Sequence, residues 1–105
     1  PMTTEARKLL LKAHKARTCQ HVIEYGGKRV GSIDKAFGRT VERAGIEHCG
    51  PHDIRRSVGR WMVEDGVPMA EVSRYMGHTN TAVTERVYAV FSPTYLRGAA
   101  QALEV

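Results

Sequence analysis

Apolar residues recur with the period of an α-helix in six stretches of this 105-residue chain, and glycine or proline stands at most of the junctions between them. That punctuation predicts short amphipathic helices rather than sheet. Ala6, Leu9, Leu10 and Ala13 mark the face of a first helix over about 4–15, opened by Thr3 or Thr4. Ile33, Phe37, Val41 and Ala44 mark a second, capped by Ser32 and ended by Gly45. Beyond Gly50-Pro51, Ile54, Val58, Trp61 and Met62 are expected on the buried face of a third helix that Gly66 closes. Val67-Pro68 restarts the chain for a short helix with Met69, Val72 and Met76, ending at Gly77. A fifth runs from Thr81 to about Tyr88 with Val83 and Val87 one turn apart. Ser92-Pro93 opens a terminal helix striped by Tyr95 or Leu96, Ala99, Ala100 and Leu103. One stretch breaks the period: HVIEY, Gly26-Gly27 and KRV read as a short strand or hairpin. The expected architecture is mainly α, a compact helical bundle with a small β element, in a single domain over 1–105.

Sixteen Lys and Arg against 11 Asp and Glu give a formal charge of +5. The surplus favours polyanionic partners, with a solvated basic surface as the bland alternative. A hydrophobic share of 42% excludes a disordered or collagen-like chain. No apolar run approaches the roughly 20 residues of a membrane span, and the charged start PMTTEARK lacks the apolar stretch of a signal peptide. The chain therefore reads as cytoplasmic, with no membrane partner. Cys19 and Cys49 are then expected to be free thiols.

Two short motifs bear chemistry. His52 and Arg55 stand three positions apart at the start of the third helix, so both project to one side, taken to be separate from the face of Ile54, Val58 and Trp61. A guanidinium fork beside an imidazole at a helix N-terminus suits a phosphate oxyanion. Downstream, MGHTNTAVTERVY sets His78 just after a glycine turn and Tyr88 ten positions later.

In this order, HDIRRS, GH and TERVY resemble the C-terminal half of the catalytic domain of phage integrases and other tyrosine recombinases. The resemblance extends upstream through the HVIEY strand and the helix ending in RAGI, and so covers nearly the whole chain. It implies that His52, Arg55 and His78 are catalytic and that Tyr88 is the nucleophile, with double-stranded DNA as substrate and a homotetramer on DNA. It also implies a bacterial or phage-encoded parent. Arg56, Arg60, Arg74 and Arg86 are candidate DNA contacts. A tyrosine phenolate that attacks a phosphodiester retains the bond energy in a 3′-phosphotyrosyl ester, so the chemistry needs no metal and no cofactor. Tyr88 stands one residue further from His78 than in many members. Such an insertion turns a helical side chain by roughly 100°, and the loop through Thr79 and Asn80 is expected to absorb it.

Two elements of the family pattern have no match. An earlier arginine in a TGxR-like turn is missing, and so is a lysine on a β-hairpin before the first helix; Arg7 and Lys28 do not fit those places. The expectation is a truncated integrase-like catalytic domain without its N-terminal core-DNA-binding domain, inactive or nearly so by itself. The rival reading is a non-catalytic helix-turn-helix DNA binder presenting Arg74, Asn80 and Arg86, which leaves HDIRRS unexplained. A zinc site from Cys19, His21, His48, Cys49 and His52 lacks the spacing of common fingers. Trp61, Met62, Met69 and Met76 read as core packing.

Overall fold

The computed structural model describes residues 1–104, with six α-helices and one two-stranded hairpin among them. The mainly α class with a small β element holds. Two compact units divide the chain, one of residues 1–40 and one from residue 41 onward.

In the first unit, α1 (Thr4–Ala16) begins where the Thr3 hydroxyl oxygen accepts from the Ala6 N–H at 3.2 Å, a cap that satisfies one of the helix's free donors. Ala6 and Ala13 are half-buried, but Leu9 is exposed, contrary to its place on the expected stripe. Leu10 and Leu11 line an open groove with Met2, Arg7, His14 and Val22. The strands β1 (Glu24–Tyr25) and β2 (Lys28–Arg29) pair antiparallel around Gly26-Gly27, whose φ values of +59° and +76° suit the tight turn that matches strand twist. In β1, the Glu24 carboxylate accepts from the Thr18 N–H at 3.0 Å and from the Thr18 hydroxyl at 2.8 Å. Hydrogen bonds from the Cys19 thiol and from Thr18 hold the Glu24 carboxyl below its ordinary range. The same Cys19–Glu24 contact pushes the thiol up. Both cysteines are free. Among the described residues no three His, Cys, Asp or Glu side chains gather in a group able to hold a metal ion.

The helix α2 (Asp34–Ala44) follows, its first N–H donating to the Ser32 hydroxyl at 3.2 Å. In the second unit α3 (Pro51–Glu64) starts with proline in its first turn, and the Asp53 carboxylate reaches back to accept from the Gly50 N–H at 2.8 Å. Next come α4 (Met69–Met76) and α5 (Thr81–Tyr88), a 3-10 turn over Ala89–Phe91, and the exposed α6 (Arg97–Ala102). The core of this unit is Val63, Val72, Met76 and Tyr88, with Met62, Val67, Met69 and Phe91 packed against it.

Two expected faces are rotated. On α3 the buried positions are Gly59 and Val63, whereas Ile54 and Trp61 are exposed at 51% and 59%. Arg55, Gly59 and Val63 follow one another at i, i+4 and i+8, so Arg55, itself exposed, stands on the same line of the helix as the two buried positions. On α5 the buried pair is Thr84 and Tyr88, while Val83 and Val87 are exposed. In each helix the buried line runs through a residue that carries little hydrophobicity, a glycine or a threonine, and apolar periodicity passes over both.

Candidate active site

Four elements converge on one cleft of the second unit. Its volume is about 320 Å³, and its lining comprises His52, Arg55 and Arg56 of α3, Met76 at the end of α4, His78 of the following loop, and Val83, Val87 and Tyr88 of α5. The four candidate catalytic residues are thus brought together. Of the candidate DNA contacts, Arg56 lines this cleft, and Arg74 and Arg86 are exposed outside its lining.

The loop that carries His78 is tied at three points. Gly77 ends α4 with φ +72°, and its N–H donates to the Arg74 and Ser73 carbonyls while the His78 N–H donates to the Ser73 carbonyl at 3.0 Å. This left-handed turn is open to glycine at little cost. The hydroxyl of Ser73, itself buried, donates to the Asn80 carbonyl at 2.9 Å, and the Asn80 side chain in turn accepts from the Ala82 N–H to cap α5. The Arg55 guanidinium donates to the carbonyl of Met76, the last residue of α4. That carbonyl has no partner within its helix, and a cation there also complements the helix dipole. A guanidinium has five N–H donors, so the others stay available to the cleft.

His78 is half-buried, and its Nδ1 lies 2.7 Å from the hydroxyl of Thr84, a fully buried residue one turn before Tyr88. The Tyr88 ring is 5% exposed and belongs to the core. Where that ring meets α3 stands Gly59: a Cβ built there would lie 2.9 Å from Tyr88 Cζ and 2.7 Å from Met76 Sδ. Only a residue without a side chain admits this approach.

A second cleft of about 280 Å³ shares Arg56, Val87 and Tyr88 with the first and is lined also by Ser57, Arg60 and Phe91. Arg60 is already engaged there. Its Nε donates to the Glu64 carboxylate at 2.7 Å, and its guanidinium lies 4.5 Å from the centroid of the Phe91 ring. The geometry makes Arg60 a tie between α3 and the turn that follows Tyr88. Sequence reasoning passed over Gly59, Ser73 and Thr84. The signal it had was the four-residue spacing of Thr84 and Tyr88, and that of Gly59 behind Arg55.

A tyrosine-bearing helix thus stands beside an Arg–His cleft in an α-helical unit. The model of the phage integrase family matches residues 5–93, and the chain belongs to that family, the tyrosine recombinases of site-specific DNA recombination. It is 25% identical to a tyrosine recombinase XerC-like protein of Caldanaerobacter subterraneus subsp. tengcongensis, over 90% of this chain and 29% of that protein. An integrase of Streptomyces ambofaciens is 47% identical over 54% of the chain and 16% of its own length. For the integrase of Salmonella phage P22 the figures are 36%, 58% and 16%. The chain therefore spans less than a third of the length of each of these relatives. No solved structure matches it. No helix among the described residues is long and apolar enough to cross a membrane.

Proposed function

We propose that this chain supplies the nucleophile and half of the phosphate-binding groups of a DNA strand-exchange reaction. The reading is carried by the convergence of His52, Arg55, His78 and Tyr88 on one cleft. The Tyr88 phenolate attacks the scissile phosphorus, a 3′-phosphotyrosyl bond forms, and the 5′-oxygen leaves with a proton; attack by a 5′-hydroxyl reverses the step. Phenol titrates near ~10, so Tyr88 must pass its proton to a base as it attacks, and a histidine of the cleft is within the right class. Arg55, with its free N–H donors, and the two imidazoles oppose the charge that builds on the non-bridging oxygens. Arg56, Arg74 and Arg86 contact the DNA backbone.

The proposal extends to the polypeptide as a whole. The 105 residues form the C-terminal part of an integrase catalytic domain and act on double-stranded DNA in a homotetramer. By themselves they are inactive or nearly so, because the resemblance calls for a further arginine and a hairpin lysine that they do not contain. Absence of one transition-state arginine costs on the order of a hundredfold or more.

The test is covalent trapping on nicked duplexes taken from the DNA flanking the gene, with the complete polypeptide that contains these residues. A denaturation-resistant protein–DNA adduct that disappears in Tyr88→Phe supports the reading. Reversible DNA binding with no adduct on any substrate overturns it in favour of a non-catalytic binding module.

A further inference from the structure

Thr84 is fully buried, and it does not line the cleft. A hydroxyl in that position needs a partner, since a donor taken out of water and left unpaired loses its hydrogen bond with nothing in return. On a helix the usual outlet is the carbonyl four residues back, as Thr40 shows by donating to the Ala36 carbonyl at 2.9 Å. For Thr84 that carbonyl belongs to Asn80, and the Ser73 hydroxyl donates to it. The partner found for Thr84 among the described residues is His78 Nδ1 at 2.7 Å.

Of the two ways to place the protons, one leaves nothing unsatisfied. If Nδ1 carried the proton, Thr84 would accept and its own O–H would be stranded in the core. With Thr84 donating, Nδ1 is the acceptor and the ring proton sits on Nε2. The nitrogen opposite the hydrogen-bonded one is the one left for the cleft that His78 lines.

We propose that Thr84 is a positioning residue that holds His78 as its Nε2–H tautomer, so that the imidazole offers the substrate phosphate a hydrogen-bond donor. The assignment rests on the recombinase reading of this cleft and deepens it. A neutral imidazole whose only lone pair is already occupied does not take up the phenol proton, and that task passes to His52, the other histidine of the cleft. Thr84 and Tyr88 are i and i+4 on α5, so one helix fixes both the nucleophile and the orientation of the donor. Any shift of α5 moves the two together.

The tautomer is read directly from ¹⁵N shifts of the imidazole. With five histidines in the chain, His78 is assigned by its loss in His78→Asn. The expected wild-type spectrum at neutral pH shows an unprotonated Nδ1 and a protonated Nε2. In Thr84→Val, which keeps the shape and deletes the hydroxyl, the two tautomers mix; in Thr84→Ser, which restores it, the wild-type shifts return. In the complete polypeptide, single-turnover adduct formation falls about tenfold in Thr84→Val, the worth of one ordinary hydrogen bond, and recovers in Thr84→Ser. A protonated Nδ1 in the wild type overturns the assignment and needs no variant. So does Thr84→Val with unchanged ring shifts. Failure to form any adduct overturns the recombinase reading instead, whatever the tautomer; a wrong tautomer with a Tyr88-dependent adduct condemns Thr84 alone.

Discussion

Gly59→Ala is the perturbation that most sharply separates the position of Tyr88 from the stability of the domain. The added Cβ would stand 2.9 Å from Tyr88 Cζ, 2.7 Å from Met76 Sδ and 3.1 Å from Met76 Cε. Carbon atoms are comfortable at about 3.5–4.0 Å, so the ring must retreat by roughly 0.6 Å or more. The thioether end of Met76 turns aside readily, but the ring is held in the core by Val63, Val72 and Met76. Overpacking of this kind costs about 1–3 kcal/mol, and replacing glycine by alanine inside a helix returns about 1 kcal/mol. The net loss of stability is therefore about 0–2 kcal/mol, a modest shift in the urea midpoint. Catalysis is far less tolerant, because a nucleophile misplaced by about 1 Å can cost on the order of a hundredfold. The expected outcome is a folded variant whose single-turnover adduct formation, at saturating DNA, is slower by ~10–100-fold. Wild-type rate with wild-type stability would refute the claim that the missing side chain at Gly59 sets the ring.

Three further expectations follow from the same geometry. Ser73→Ala removes the hydroxyl that holds the Asn80 carbonyl and should lower stability by about 1–2 kcal/mol in urea unfolding; an unchanged midpoint would mean that the loop holds its shape without this tie. Trp61→Gln should shift stability by less than about 1 kcal/mol, because Trp61 is 59% exposed, and a loss of several kcal/mol would restore it to the core. The Glu24 carboxyl titrates lower folded than unfolded, so its contribution is present above its ordinary value of 4.5 and is lost as pH falls through the folded value. Acidification should therefore shift the Thr18 amide in an NMR titration with a midpoint below 4.5, and a midpoint above it would contradict the bonding around Glu24.

Helix ends were the most legible part of the sequence. Thr3, Ser32, Pro51, Pro68 and Gly77 all act within a residue or two of where their cap and turn chemistry puts them. Helix faces were less legible. Ile54 and Trp61 draw the eye on α3, and Val83 and Val87 on α5, because a periodic reading weighs side-chain hydrophobicity. The true contacts are made by an absent side chain at Gly59 and a hydrogen-bonded one at Thr84, which score as neutral or polar. Motif order alone singled out His52, Arg55, His78 and Tyr88 as candidates, and the cleft joins them across α3, the α4–α5 loop and α5. What motif order does not convey is the support behind them: the Ser73–Asn80 tie, the Thr84 hydroxyl, and Arg60 engaged with Glu64 and Phe91. Each of these is a tertiary contact whose partners are known only once the helices have packed.

The central claim is that Tyr88 forms the bond to DNA, and mapping the modified residue tests it most directly. Trypsin releases residues 87–97 as VYAVFSPTYLR, a peptide that holds both Tyr88 and Tyr95. After nuclease digestion of the trapped adduct, fragmentation of that peptide should place the residual nucleotide on Tyr88. A nucleotide on Tyr95, on Tyr75, or on no tyrosine of this chain would contradict the account.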